Sequence, residues 1–268
     1  MIFVIAAVLF AAILAVGLYN ALTVTCYTLE SGKLAHPLRL VLLSDLHSCW
    51  HGEGQKQLLA EIAEQNPDII LMTGDIADDE VPHDGTIALL EGLVGKYACY
   101  YVAGNHEFRT GEIETIKEMF RSYGVTVLQG DSRMVEINEQ RINICGVDDP
   151  VIGKTDFQAQ LSSAFQLLDT TVFTILLSHR PELFEQYAKY PCDLVVSGHA
   201  HGGQWRFPLI SQGLYAPNQG LFPKYTAGVH ELSEVRMIVS RGLSRESTRI
   251  PRIFNRPELV VIDLIPQK

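Results

Sequence analysis

Positive charge is in short supply in this sequence. Its 268 residues include 21 lysines and arginines but 31 aspartates and glutamates, which gives a formal net charge of -10 at pH 7. Phosphate backbones are bound by basic surfaces, so this balance argues against a general nucleic-acid binder. We therefore expect no nucleic-acid partner.

Cysteine is also scarce. The sequence has five cysteines, an odd number, and most of them lie in or beside apolar runs. This pattern favours free thiols over a disulfide framework. Convincing internal repeats, heptads and low-complexity tracts are missing as well, which argues against repeat arrays and coiled coils. What remains is a composition that suits one α/β domain of roughly 240 residues.

Long hydrophobic runs are limited to one, at the beginning. Residues Met1 to Tyr19 include no charged side chain, and at ~1.5 Å rise per residue they are just long enough to cross a bilayer core. The basic residues that normally precede the apolar core of a secretory signal are missing. We therefore predict an uncleaved membrane anchor at residues 1–22 and a linker at 23–37. The nearest basic residues, Lys33 and Arg39, follow the span, which favours the cytoplasmic side for the rest of the chain.

From residue 38 onward, short apolar runs alternate with amphipathic helical patterns, which is typical of an α/β fold. Three predicted strands of the first half each run into a polar turn. Short crossovers give parallel strands, so these turns should meet at one edge of a sheet. The strands, with the polar residues that follow them, are Leu38 to Leu43 with Asp45 and His47, Ile69 to Met72 with Asp75 and Asp78, and Ala98 to Val102 with Asn105 and His106.

The second half of the sequence repeats this arrangement twice. A predicted strand at Val172 to Leu177 is followed by His179, and another at Leu194 to Ser197 runs into Gly198-His199-Ala200-His201. Two imidazoles separated by one small residue can aim at different points in one pocket. A single polar residue at a strand end is usually a turn former, but five such ends in one chain indicate a metal site.

In chain order, these turns read Asp-x-His, Gly-Asp-x-x-Asp, Gly-Asn-His-Glu, a lone His and Gly-His-x-His. The series resembles the calcineurin-like metallophosphoesterase superfamily, and its flanking residues look most like the membrane-tethered bacterial phosphoesterases. The resemblance implies an α/β fold, a four-layer α-β-β-α sandwich, over residues 38–268, joined to a single-pass helix in the bacterial cell membrane. It also implies two divalent metal ions. Mixed imidazole and oxygen ligands suit Mn, Fe or Zn better than Mg or Ca.

The resemblance also implies roles for individual residues. Two cations that share a hydroxide can promote its in-line attack on phosphorus and neutralise the developing charge. His106 matches the histidine that protonates the leaving group as a general acid, and Asp78 is expected to hold its ring. Asp75 is expected to bridge the metals. One metal is expected on Asp45, His47, Asp75 and His201, and the other on Asp75, Asn105, His179 and His199.

The substrate is less sharply defined. We expect a phosphodiesterase or phosphatase acting on a phosphodiester or pyrophosphate that is membrane-associated or of the nucleotide type, with a lipid-linked substrate as one option. A UDP-2,3-diacylglucosamine-type pyrophosphate hydrolase is the alternative, and a non-catalytic scaffold is disfavoured because no predicted ligand is missing. Arginines that follow the last motif suit either phosphate recognition or contact with anionic lipid. These arginines are Arg241, Arg245, Arg249, Arg252 and Arg256.

Overall fold

Two mixed β-sheets form the centre of the molecule, which a computed structural model describes for residues 1–207, 210–245 and 251–267. Arg249 lies outside these described residues. The strands, in chain order, are β1 (Thr23–Ser31), β2 (Leu38–Leu43), β3 (Ile69–Thr73), β4 (Ala98–Val102), β5 (Thr126–Val127), β6 (Asp131–Ile137), β7 (Gln140–Gly146), β8 (Phe173–Leu177), β9 (Leu194–Ser197), β10 (Arg206–Phe207), β11 (Ile210–Gly213), β12 (Tyr215–Ala216), β13 (Gly220–Leu221), β14 (Gly228–Leu232), β15 (Val235–Val239) and β16 (Glu258–Pro266). The α-helices are α1 (Ile2–Gly17), α2 (Lys56–Gln65), α3 (Asp84–Leu93), α4 (Asn105–Arg109), α5 (Ile113–Ser122), α6 (Lys154–Ala164) and α7 (Phe184–Tyr187).

Each large sheet has six strands. The first has the order β1-β16-β2-β3-β4-β5 and the second the order β14-β15-β9-β8-β7-β6. The strands that precede the polar turns run parallel to one another within each sheet: β2, β3 and β4 in the first, β8 and β9 in the second. Parallel strands end at the same edge, so each sheet carries its polar turns on one side.

The motif strands are buried on both faces, which explains why they read as continuous apolar runs. In β2, Leu40 and Leu42 face the space between the two sheets, whereas Val41 and Leu43 face the helices. This alternation follows from the two-residue period of a strand. A strand with two apolar faces can only lie inside a layered structure.

Three hydrophobic clusters lie between four layers. The first packs α2, α3 and α5 on the first sheet, the second fills the space between the sheets, and the third packs α6 and α7 on the second sheet. The layers are therefore helix, sheet, sheet and helix, as expected from the resemblance. This packing holds the two turn-bearing edges side by side.

The N-terminal helix differs from the prediction. α1 has 16 residues, which at ~1.5 Å each span less than the ~30 Å of a bilayer core. Among the described residues, the structure contains no helix with both the length and the apolar character needed to cross a membrane. The transmembrane helix expected within residues 1–22 is therefore not supported. The helix ends at Gly17, whose carbonyl accepts a hydrogen bond of 2.7 Å from the Phe254 N–H.

The segment predicted as a linker, residues 23–37, is largely part of the first sheet. It contains β1, which pairs in parallel with β16 along its full length, from Thr23 opposite Glu258 to Ser31 opposite Pro266. Sequence patterning missed this strand because threonines and other polar residues replace the apolar run that marks the other strands. Only one side of an edge strand is paired, and such a strand tolerates this composition.

Candidate metal centre

Backbone hydrogen bonds join the polar turns into one unit. The Asp45 N–H donates to the Gly74 carbonyl at 3.1 Å, and the His47 N–H donates to the Asp75 carbonyl at 2.9 Å. The second sheet is tied in because the His199 N–H donates to Asp45 Oδ1 at 3.0 Å. Turns from both sheets therefore share one hydrogen-bonded framework.

The two sheets approach so closely here that a side chain has no room at Gly198. A Cβ on this residue would lie 1.7 Å from Ser44 Oγ and 2.3 Å from Asp45 Oδ2. The glycine that opens the Gly-His-x-His turn is thus required by close contact between the sheets.

The turns are strained at the predicted ligands. Non-glycine residues rarely adopt a positive φ, which costs roughly 1–2 kcal/mol each. Such strain persists only where surrounding contacts impose it. The predicted ligands with a positive φ are Asp45 (51°), His47 (51°), Asp75 (51°), His199 (63°) and His201 (46°).

All seven predicted ligands are buried, and six of them gather into two overlapping groups. Within each group the candidate ligand atoms lie within 4.8 Å of one another. Asp75 belongs to both groups, and its Oδ2 lies 3.1 Å from His179 Nε2 and 3.8 Å from His47 Nε2. The first group is Asp45, His47, Asp75 and His201, and the second is Asp75, His179 and His199.

Asn105, the seventh predicted metal ligand, is the first residue of α4. The next N–H along the chain, that of His106, donates to Asp75 Oδ1 at 2.9 Å. Buried polar atoms without a hydrogen-bond partner include Asn105 Oδ1, His47 Nε2 and Asp75 Oδ2. Unpaired buried polar atoms are costly, and these three are of the types that bind cations. The residues present therefore fit a metal centre.

Two of the histidines are held in a defined ring state. His47 Nδ1 lies 2.7 Å from Asp78 Oδ2, and His179 Nδ1 lies 2.7 Å from the Thr73 carbonyl oxygen. An acceptor at one ring nitrogen keeps the proton there and leaves the lone pair on the other nitrogen. In the neutral form of both rings the lone pair is therefore on Nε2, the atom that faces Asp75.

The charges of the cluster depend on one another. Burial opposes ionisation of Asp75, but the neighbouring His179 holds the pKa of this carboxyl well below its usual range. Burial opposes protonation of His179, but Asp75 raises the pKa of this imidazole to about 10. Burial, together with nearby positive groups, lowers the pKa of His199 and of His201 well below the usual value. Burial also opposes protonation of His47, but the hydrogen bond to Asp78 raises the pKa of this imidazole. A cation that enters the cluster would therefore meet an ionised Asp75 and would have to displace protons from His47 and His179.

The pairing around His106 differs from the prediction. Its Nδ1 forms a very short hydrogen bond with Asp79 Oδ1, whereas Asp78 Oδ2 lies 3.5 Å away. Asp78 was expected to hold this ring, but its carboxylate is engaged by His47 at 2.7 Å instead. Asp79, the next residue along the chain, is therefore the partner of His106.

Glu107 connects the turn after β3 to the turn after β4 through hydrogen bonds. Its carboxylate accepts hydrogen bonds from four backbone N–H groups, those of Asp75, Ile76, Ala77 and Gly104, at 2.7 to 3.1 Å. Burial and the neighbouring Asp75 raise the pKa of Glu107 to about 7, although the four N–H groups favour the ionised form. The last residue of the Gly-Asn-His-Glu motif thus has a structural role that the sequence did not reveal.

One of the C-terminal arginines reaches the cluster. Arg252 is buried, donates from Nη1 to the Arg241 carbonyl at 2.8 Å, and places Nη2 3.4 Å from His201 Nδ1. Burial lowers its pKa to about 10. Arg241 instead pairs with Glu258 at 3.0 Å, and Arg256 donates to the Ala21 carbonyl at 2.9 Å. Proximity to the cluster therefore distinguishes Arg252 from these two.

Comparisons with known proteins agree with this geometry. A family model described as calcineurin-like phosphoesterase matches residues 38–203. An uncharacterized metallophosphoesterase, YkuE, of Bacillus subtilis is 30% identical over 250 residues, which cover 90% of this chain and 84% of that protein. An uncharacterized metallophosphoesterase of Aquifex aeolicus is 30% identical over 257 residues, covering 91% and 92% of the two chains.

A solved structure is similar in fold. The NAD nucleotidase of Haemophilus influenzae aligns with a TM-score of 0.53 and 17% sequence identity, over 77% of this chain and 45% of that one. At this identity the likeness extends to the fold alone.

Replacement of Glu107 by Gln tests the tie between the turns. The amide keeps the volume but turns one acceptor into an N–H donor, so that backbone N–H groups lose their partner. We expect the free energy of unfolding of the metal-free protein to fall by about 2–4 kcal/mol, measured by urea denaturation. Glu112→Gln, at an exposed position, is the matched control and should change stability little. Equal stability of the two variants would contradict the assigned role.

Proposed function

This chain belongs to the calcineurin-like phosphoesterase family and is a metal-dependent phosphoester hydrolase with a dinuclear metal centre; from this premise we propose that the buried cluster hydrolyses phosphodiesters or pyrophosphates by in-line displacement at phosphorus. The observation that carries the proposal is the pair of overlapping ligand groups that share Asp75. A carboxylate shared by two cations would hold them at the short separation that phosphoryl transfer requires.

The ligands follow from the two groups. We assign Asp45, His47, Asp75 and His201 to one metal, and Asp75, Asn105, His179 and His199 to the other. When bound, the cations lower the pKa of a coordinated water and neutralise charge on the phosphoryl oxygens. Imidazole and oxygen ligands together suit Mn, Fe or Zn. Each side chain is held in place beforehand by the backbone framework of the turns.

His106 is proposed as the general acid that protonates the leaving oxygen. Its ring is about one-fifth exposed, and its Nδ1 is bonded to Asp79. A carboxylate at Nδ1 fixes the orientation of the ring and leaves Nε2 facing outward. Arg109 Nη1 lies 3.1 Å from that Nε2. The exposed arginine side chain has to leave this position when a substrate enters.

Exposed apolar side chains near the metal centre support the proposal that the substrate carries an apolar group. Leu221 and Phe222 are 68% and 63% exposed. They lie on and beside the β12–β13 hairpin, whose Asn218 contacts His199. α1, whose apolar side chains are also exposed, ends against the segment that carries Arg252. We propose an acylated or otherwise lipid-linked phosphodiester or pyrophosphate presented at a bilayer surface, with the UDP-2,3-diacylglucosamine type as one such compound.

Hydrolysis of bis(p-nitrophenyl) phosphate with added Mn tests the proposed reaction. We expect turnover by the wild-type protein, and loss of nearly all of it in Asp75→Asn, because the amide removes the charge shared by both metals. Metal content measured on the same samples should also fall. Turnover in Asp75→Asn equal to the wild type would contradict the assignment of Asp75.

Replacement of His106 by Ala separates acid catalysis from charge stabilisation. We expect kcat to fall by about 10²–10⁴-fold with an alkyl leaving group, which needs protonation. The loss should be much smaller with p-nitrophenolate, which leaves without a proton. Asp79→Asn should show the same leaving-group dependence in weaker form. An equal loss with both leaving groups would assign His106 a purely electrostatic role.

A series of phosphodiesters with lengthening acyl chains tests the apolar contact. We expect kcat/KM to rise with chain length for the wild type and to rise less for Leu221→Ser combined with Phe222→Ser, since burial of each methylene contributes about 0.8 kcal/mol. Leu167→Ser, at an exposed position in the loop that follows α6, is the control. A chain-length dependence that is flat for the wild type would exclude the lipid-linked substrate.

A further inference from the structure

We propose that Asn218 is a positioning residue whose side-chain oxygen selects the ring tautomer with which His199 faces the metal centre, and that Arg180 and Asp149 hold this oxygen in place. The inference deepens the proposed function, since it rests on the assignment of His199 as a metal ligand. It concerns a residue outside all five sequence motifs.

The two nitrogens of His199 face different surroundings. Nδ1 lies 3.1 Å from His179 Nε2, so it is the nitrogen on the inner side of the cluster. Nε2 lies 2.9 Å from Asn218 Oδ1. The imidazole is buried, so these contacts, and not water, decide where its proton resides.

The identity of the Asn218 atom follows from its second contact. Arg180 Nη1 lies 2.5 Å from the same atom. A guanidinium can only donate, so the atom that faces it must be the amide oxygen and not the nitrogen. An oxygen accepts, and therefore the His199 nitrogen at 2.9 Å must carry its proton. The lone pair is then on Nδ1, the inner nitrogen.

Arg180 alone would favour the opposite tautomer. Its Nη1 lies 3.2 Å from His199 Nε2. Without the oxygen between them, this donor would pair with a lone pair on Nε2, and the ring proton would move to Nδ1, toward His179. That tautomer has no inner lone pair for a metal. Asn218 thus decides between a ligating and a non-ligating ring.

The guanidinium is itself fixed by a buried carboxylate. Asp149 accepts from Arg180 Nε at 2.5 Å and from Nη2 at 2.9 Å, and it also accepts from the Val151 N–H at 2.9 Å. Two parallel charge-assisted bonds restrict the plane of the guanidinium. The remaining group, Nη1, is therefore directed at Asn218 before any metal binds.

The hairpin that carries Asn218 is held independently. Asn218 lies between β12 and β13 with φ near 60°, a conformation that asparagine adopts more easily than most residues. The neighbouring Gln219 clamps the turn, since it donates to the Tyr225 carbonyl at 2.7 Å and accepts from the Tyr225 N–H at 2.9 Å. Asn218 itself is exposed, so its replacement leaves the core untouched.

Two substitutions separate the oxygen from the rest of the residue. Asn218→Gly removes the acceptor but tolerates the positive φ, whereas Asn218→Asp keeps an oxygen at the same place. Asn138→Gly is the matched control, because Asn138 is also an exposed asparagine with a positive φ, 48°, in the turn between β6 and β7. All four proteins are compared as full chains.

The tautomer is read in the metal-free protein by long-range ¹H–¹⁵N correlation spectra with ¹⁵N-labelled histidine. We expect an Nε2-protonated His199 in the wild type, Asn218→Asp and Asn138→Gly, and an Nδ1-protonated ring in Asn218→Gly. Zinc titration by calorimetry should show two sites in all proteins. One of them should be about 10–100-fold weaker in Asn218→Gly alone.

Retention of the Nε2 proton and of both zinc affinities in Asn218→Gly would overturn the proposal. So would an equal loss in Asn218→Asp, because the oxygen would then be irrelevant. Failure of the proposed function looks different, since a wild-type protein that binds no zinc would refute the metal centre. The tautomer measured without metal would still report on Asn218.

Discussion

A buried carboxylate held among imidazoles is the constraint on which the rest of this structure depends. Asp75 is buried at the end of β3, where its Oδ2 has no hydrogen-bond partner and lies close to histidines from both sheets. An isolated buried charge is costly, so it has to be compensated by cations or protonated groups. The candidate ligands around Asp75 can bind cations, and the neighbouring histidines can carry protons.

The backbone around Asp75 is shaped to keep it there. Glu107 holds the turn through three consecutive N–H groups, and a fourth bond reaches the turn after β4. Asp45 and Asp75 both adopt a positive φ, a strain that the hydrogen bonds between the turns offset. The glycine before His199 allows the second sheet to close over this framework. Strain, close contact and buried hydrogen bonds therefore occur together at the candidate metal centre.

A second set of residues, outside the motifs, orients the side chains. Asp79 engages His106, Asn218 engages His199, and Arg252 lies beside His201. They come from a turn, a hairpin and the C-terminal segment, which only the folded chain brings together. The hairpin that carries Asn218 also carries the exposed Leu221, where we propose that an apolar part of the substrate binds.

Much of this protein followed from its sequence alone. The apolar runs Leu38 to Leu43 and Ala98 to Val102 form strands with the predicted bounds, because a strand buried on both faces must be apolar throughout. The motif residues identified the family, since ligand chemistry restricts residue types at fixed places. The tertiary structure decided the rest. β1 lacks an apolar run and became visible only through its pairing with β16, and α1 proved to be 16 residues long. The choice between Asp78 and Asp79, and the contact of Asn218 with His199, depend on directions of side chains that local sequence patterns do not encode.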